Sequence, residues 1–397
     1  MMQSFALPDE HRGLTSAPYP RFSAGEMARR RRALAAVAEE VGVDRVLVYG
    51  ADRSGSAVQW LTGWPVTREA AVAWGPDEQD SMFVEFANHV PLARELAPDA
   101  DVQWGRQHPV EAAADELERR GGRSQRVGII GPLRAQAHAA LAARCGEVRS
   151  LGSAYTSLRL RKSSEEVAWL RIGAALSDAA ITALDENLRS GLTEHEVVDL
   201  IERAYVPRGG STHIHYVGVT SMAEPSRAVP AQYPSTRQVR AGDVLVTEIS
   251  AAFWGYAGQV LRTFTVEAEP TPLYQQLHDV AEAAFDRVAE RLRPGVAPEE
   301  LVDAAGVIED AGFTVIDDLV HGYGGGYLPP VLGSRSRPAG PLPDLRLEAG
   351  MTVVVQPNVV TPDGRAGVQT GELLLITDAG PQRLHRAAAG LHRVERS

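Results

Sequence analysis

The run Thr212-His213-Ile214-His215-Tyr216-Val217 sets two imidazoles two residues apart. Alternate residues of a strand share a face, so His213 and His215 are expected on one side. There an imidazole poised near neutral pH can serve as a general base. The competing reading is a surface or hydrogen-bonded structural pair. A third histidine, His321, is followed by Gly322, Gly324, Gly325 and Gly326, and glycines let the backbone approach a ligand closely. Tyr256, Tyr323 and Tyr327 offer hydroxyls for a substrate oxygen, although buried tyrosines commonly serve the core. Cys145 is the sole cysteine, so neither an intrachain disulfide nor a cysteine-built zinc cluster can form.

The elements that must position these groups follow from patterning. With 397 residues, the chain suits two domains. Residues 1–25, rich in Pro and polar residues, read as an N-terminal arm. A helix over 26–41 precedes strand-like runs at 46–49, 70–74, 81–85 and 127–130, with helical stretches at 109–119 and 134–144. This alternation predicts an α/β domain over 26–155. From 156 onward the pattern changes to a long helix over 164–189 and a second over 272–293. Each is followed by a similar segment: Gly191-Leu192-Thr193-Glu194-His195-Glu196 and Gly295-Val296-Ala297-Pro298-Glu299-Glu300. A repeat of about 104 residues is too long for a solenoid and predicts duplicated half-domains. Apolar runs at 213–220, 244–249, 260–266, 352–355 and 372–376 supply antiparallel strands.

Composition narrows the partners. A net charge of −11 argues against nucleic acid, which needs concentrated positive charge. The basic run Arg29-Arg30-Arg31-Arg32 lies at helical spacing and reads as a solvated helix face. No apolar segment behind basic residues marks a signal peptide, and no 18 apolar residues run uninterrupted. A soluble, cytoplasmic protein with a small-molecule substrate and no membrane partner is expected.

Several segments, in order, resemble the pita-bread domain of the creatinase and Xaa-Pro aminopeptidase (prolidase) family. Leu158-Arg159-Leu160-Arg161-Lys162-Ser163 resembles its entry helix. Gly242-Asp243-Val244-Leu245-Val246-Thr247-Glu248 and Gly255-Tyr256-Ala257-Gly258-Gln259-Val260-Leu261-Arg262-Thr263-Phe264 resemble its first two ligand strands. His321-Gly322-Tyr323-Gly324 resembles its His-Gly loop. Leu347 through Pro357 and Gly367 through Thr377 resemble the last two ligand strands. The fold implied is an α/β N-terminal domain followed by an α+β pita-bread domain over 156–397. Trp60-Leu61-Thr62-Gly63-Trp64 is similar to a segment of the family's N-terminal domain.

The family's metallopeptidases hold two divalent ions with two Asp, one His and two Glu. The matching positions here are Glu248, Gln259, His321, Gln356 and Gly371. Two adjacent dications need several anionic oxygens, and this set retains one carboxylate. Glu372, one residue past the lost carboxylate, is expected to turn to the other face. Creatinase itself works without metal, but the position of its catalytic loop histidine is Ala231 or Gln232 here. The leading expectation is a metal-independent, creatinase-like enzyme acting on a small polar substrate by C–N hydrolysis or acid–base elimination. No cofactor is expected, with a single weakly held ion at Glu248 and His321 left open. The alternatives are a metal-dependent Xaa-Pro aminopeptidase or dipeptidase and a non-catalytic ligand-binding protein. His321, as proton donor or carbonyl polariser, and Glu248 would lead catalysis, with His213 or His215 assisting. Gln259, Gln356, Arg262, Tyr256, Tyr323 and Tyr327 would bind substrate, unless Arg262 simply pairs with Glu248. Arg68 would reach a substrate carboxylate across the homodimer that the resemblance implies.

Overall fold

The protein is described by a computed structural model covering residues 11–51 and 57–395. It divides into a unit of Ser16–Arg159 and a unit formed by 160–395 with residues 11–15. The first ten residues of the expected arm lie outside the described residues; Arg12–Ser16 and Ala24–Val41 are helices.

In the smaller unit, strands β1 (Arg45–Ala51), β2 (Glu69–Trp74), β3 (Ser81–Val84), β4 (Asp101–Trp104), β5 (Arg126–Ile130) and β6 (Glu147–Ser150) form one mixed sheet. Its order is β4-β3-β2-β1-β5-β6. β1 is buried on both faces, as its apolar run requires. The helix Pro109–Gly121 covers one face through Val110, Ala113, Ala114 and Leu117. Arg30, inside the basic run, is not solvated: its guanidinium is buried between Glu26, 2.7 Å away, and the rings of Phe22 and Trp60. Helical spacing could not show this, because the pairing depends on packing against a distant segment.

The larger unit carries β7 (Ser211–Ser221), β8 (Asp243–Phe253), β9 (Tyr256–Val266), β10 (Thr314–Val315), β11 (Val320–Tyr323), β12 (Tyr327–Leu332), β13 (Thr352–Val355), β14 (Val359–Val360), β15 (Gly371–Thr377), β16 (Gly380–Arg383) and β17 (His392–Val394). Its main sheet runs β12-β11-β13-β15-β9-β8-β7, with β16 on β15 and β17 parallel to β9. The duplication is visible in the backbone. Gly191 and Gly295 both adopt positive φ, at 92° and 88°, where glycine avoids the Cβ penalty. Gly191 N donates to Val239 O and Gly295 N to Leu347 O, each at 2.8 Å. The next turns match as well: Gly242 N donates to Val266 O and Gly350 N to Ile376 O. Glu196 and Glu300 accept from the backbone N–H groups of Thr193 and Ala297, closing both helix starts alike.

β8 and β9 are buried throughout. The helix Ser164–Asn187, begun by a Ser163–Glu166 capping box, lies against one face. A Cβ on Gly258 would come 2.2 Å from Ala174 Cα, so glycine permits the close helix–strand approach. Ser177 Oγ donates to Gly258 O at 2.6 Å and accepts from Ala251 N at 2.9 Å, pinning the helix to both strands. This helix is long and apolar enough to cross a membrane. Its buried Trp169, Leu170, Ile172, Leu176, Ile181 and Leu184 instead belong to the domain interior.

Candidate functional site

The opposite face of β8 and β9 is polar. Ser250 pairs with Gln259 across the strands, and strand alternation puts Glu248 on the same side. Gln259 Nε2 donates to Glu248 Oε1 at 2.8 Å and to Gln356 Oε1 at 3.1 Å. Gln356, just past β13, donates from Nε2 to Asp318 O at 3.1 Å. His321 on β11 is 1% exposed, with Nδ1 3.2 Å from Gly322 O. Its ring stacks on Tyr327 at 4.2 Å and meets Tyr323 edge-on at 5.5 Å. Tyr327, half exposed, donates its hydroxyl to Asp318 Oδ2. Glu248, Gln259, His321, Gln356, Tyr323 and Tyr327 are thus gathered in one cleft.

Burial decides the charges there. It pushes Glu248 up to about 8, with Asp317 and Asp318 adding repulsion, so the carboxyl carries a proton at neutral pH. Burial pushes His321 down to about 4, leaving a neutral imidazole. Asp317 is raised as well, first by burial. Tyr323 is raised by burial, with the Ser250 side chain working against the shift. Asp317 and Asp318 escape the sequence reading, although two adjacent acids just ahead of His321 are a legible signal. Ser250, on the Glu248 face, escapes it too.

Three expected placements need correction. His213 and His215 do not share a face: the register of β7 shifts between Thr212 and Ile214, and a bulge breaks the alternation. His213 lies 6.1 Å from the Tyr323 ring. His215 turns to the helix Glu194–Tyr205, its Nδ1 3.3 Å from Tyr205 OH and 3.5 Å from Glu202, and burial pushes it down to about 4. Arg262 points away from the cleft and does not pair with Glu248. It donates to Glu372 at 2.7 Å and to the carbonyls of Ala388, Gly371 and Leu261. Glu372 is therefore on the outer face, shared with Arg383. Tyr256 also lies on the helix side, donating to Glu166 at 2.9 Å and packing on Trp169. Arg68 belongs to the smaller unit, exposed, 3.8 Å from Glu85 and beside Phe86.

Sheet, helices and cleft define a pita-bread domain that follows an α/β domain in sequence, the architecture of prolidases. The chain belongs to metallopeptidase family M24, whose model matches residues 168–378. It is 24% identical over 242 residues to an Xaa-Pro dipeptidase of Pyrococcus furiosus, covering 60% of this chain and 66% of that protein. An Xaa-Pro dipeptidase of Lactobacillus delbrueckii subsp. lactis is 28% identical over 233 residues, 58% of this chain and 61% of that protein. The match thus spans under two thirds of either relative. Among solved structures, an Xaa-Pro dipeptidase from Bacillus anthracis superposes with a TM-score of 0.78 at 20% identity, covering 93% of this chain and 100% of that one. An X-Pro aminopeptidase from Thermotoga maritima also gives 0.78, at 16% identity, covering 92% and 99%.

These findings overturn the leading expectation. The relatives are named Xaa-Pro dipeptidases and the family is one of metallopeptidases, so neither a metal-independent creatinase-like enzyme nor the expected lack of a cofactor stands. The family points to metal, yet the side chains present do not fit a two-metal centre. Gln259 Nε2, a donor, occupies the space between Glu248 and Gln356, where ions need lone pairs. Gly371 has no side chain, and a Cβ there would lie 2.2 Å from Val355 O. Among the described residues no group of three or more His, Cys, Asp or Glu is arranged to hold a metal ion.

Proposed function

We propose that the chain is a hydrolase of short peptides at Xaa-Pro bonds, the activity that the names of its relatives carry. The observation behind this is the family match over 168–378, the stretch that supplies every cleft residue from Glu248 to Gly371. Amide cleavage needs a proton at the departing nitrogen. Glu248, still protonated at pH 7 with its value near 8, suits that task. Neutral His321 presents a hydrogen-bonding imidazole whose Nδ1 faces Gly322 O. Gln259 and Gln356 hold the floor of the cleft in one arrangement.

Purified protein incubated with a panel of Xaa-Pro dipeptides, in buffers supplemented with Mn²⁺ or Co²⁺, is expected to release proline. Folded protein that releases none under any of these conditions refutes the reading. A second reading, a ligand-binding protein using the same cleft, is favoured by the closed space at Gly371. Thermal stabilisation by a dipeptide without proline release would establish it.

A further inference from the structure

We propose that a pocket at the start of the helix Ser164–Asn187 binds a short apolar peptide by its two charged ends, the α-carboxylate on Arg171 and the α-ammonium on Asp378. The pocket has a volume of about 670 Å³, within the range of small-ligand sites. It lies in the larger unit, between that helix and the hairpin of β15 and β16. Its lining residues on β15 sit at the opposite end of the strand from Gly371. The site is therefore separate from the cleft and does not depend on hydrolysis there. Val167 and Ala168 on the helix, with Ala349 and Leu375, supply an apolar wall.

The charges on the wall decide the ligand. Lys162 Nζ donates to Leu160 O at 3.0 Å, and His11 and Glu165 have partners of their own. Arg171 and Asp378 differ. Arg171, half-buried, donates from Nη2 to the neutral Gln382 Oε1 at 3.0 Å and forms no ion pair among the described residues. Asp378, exposed, has no hydrogen bond or ion pair among the described residues. One hairpin sets both positions. Thr377 pairs with Gly380 and Leu375 with Gln382. Thr377 Oγ1 donates to Gly380 O at 2.7 Å and accepts from Ala379 N at 3.2 Å. Asp378 is thereby fixed at the tip, while Gln382 holds Arg171 beside the row of Leu375. Three residues of strand separate those levels, about 10 Å. Opposite charges held apart across an apolar wall are matched by a ligand with a charge at each end. Arg171 keeps donors for a carboxylate, which a guanidinium binds through two parallel N–H groups. At about 3.3–3.6 Å per extended residue, a chain of about two to three residues spans the gap. Apolar side chains on it would cover Val167, Ala168 and Leu375.

Calorimetric titration of the full chain with Leu-Leu and Leu-Leu-Leu tests this. Neither peptide contains an Xaa-Pro bond, so the outcome is separate from that of the hydrolysis reading. Wild-type protein is expected to bind at least one of them, and the tighter of the two sets the length. Amidating the carboxyl end or acetylating the amino end should each weaken binding about fivefold, the scale of one partly exposed ion pair. Arg171→Gln should remove the effect of amidation alone, and Asp378→Asn that of acetylation alone. Circular dichroism checks that the variants fold, and the blocked peptides probe the same contacts on unaltered protein. Failure of the wild type to bind either peptide overturns the proposal. So does binding that both substitutions leave unchanged, which places the peptide elsewhere. Free leucine bound as tightly as the peptides overturns it too.

Discussion

Replacing Glu248 by Gln should remove a loss of stability with rising pH that this carboxyl contributes between pH 6.5 and 8. Burial raises this carboxyl from 4.5 to about 8. Between those values the folded state binds a proton that the unfolded state has released, so stability falls as pH rises through the window. One pH unit corresponds to about 1.36 kcal/mol when the proton difference is complete. Allowing for partial ionisation near pH 8, the loss from pH 6.5 to 8 is about 1.6 kcal/mol. The histidines work in the opposite sense. His215, His278 and His321 are pushed down to about 4, so they add stability as pH rises from about 4, and still add about 0.4 kcal/mol each between pH 6.5 and 8 as the unfolded imidazoles lose their last protons. The difference between wild type and Glu248→Gln over this interval therefore isolates Glu248. Urea unfolding at four pH values, with the transition of the larger unit resolved from that of the smaller, compares wild type with Glu248→Gln. The same slope in both proteins refutes the argument that this carboxyl is buried and protonated.

Two substitutions test the backbone and the outer face. Gly371→Ala places a Cβ 2.2 Å from Val355 O at a φ of 152°, and should cost about 2–4 kcal/mol; an unchanged urea midpoint would contradict the packing. Arg262→Met removes a buried guanidinium from Glu372 and should destabilise by about 3–5 kcal/mol. Because Arg262 faces away from the cleft, ligand affinity of the molecules that remain folded should not change, and a selective loss of affinity would return it to the site.

What the sequence made legible was local. The paired Gly turns, the glutamates three residues past each helix start and the ligand-strand motifs each depend on neighbours within a few positions, and the structure repeats them at Gly191 and Gly295. The placement of Arg262 and Tyr256 was also within reach. Each stands three residues from Gln259, and an odd separation in a strand sends a side chain to the opposite face. The histidine pair failed for the converse reason: parity predicted one face, and a bulge with no clear residue signature reversed it. Asp317, Asp318 and Ser250 belong to the cleft only because segments some 70 residues apart in sequence meet there. Acids in a loop otherwise read as solvent-facing.

The substitutions at the ligand positions make sense only as a set. With one carboxyl left at Glu248, its proton retained and its oxygen bonded by Gln259, the floor of the cleft is joined by hydrogen bonds between Glu248, Gln259 and Gln356. Changing Gln259 alone to an acid would remove the donor on which Glu248 and Gln356 both depend and set two carboxyls against each other. Repulsion would then keep one of them protonated. Nor could a carboxylate enter at residue 371 while the backbone of Val355 and Gln356 lies against the glycine. The amides, the glycine and the raised carboxyl therefore stabilise one another, and an anionic ligand set cannot be rebuilt one position at a time. The same interdependence leaves the acids at 317 and 318, outside that set, as the groups best placed to change what the cleft selects.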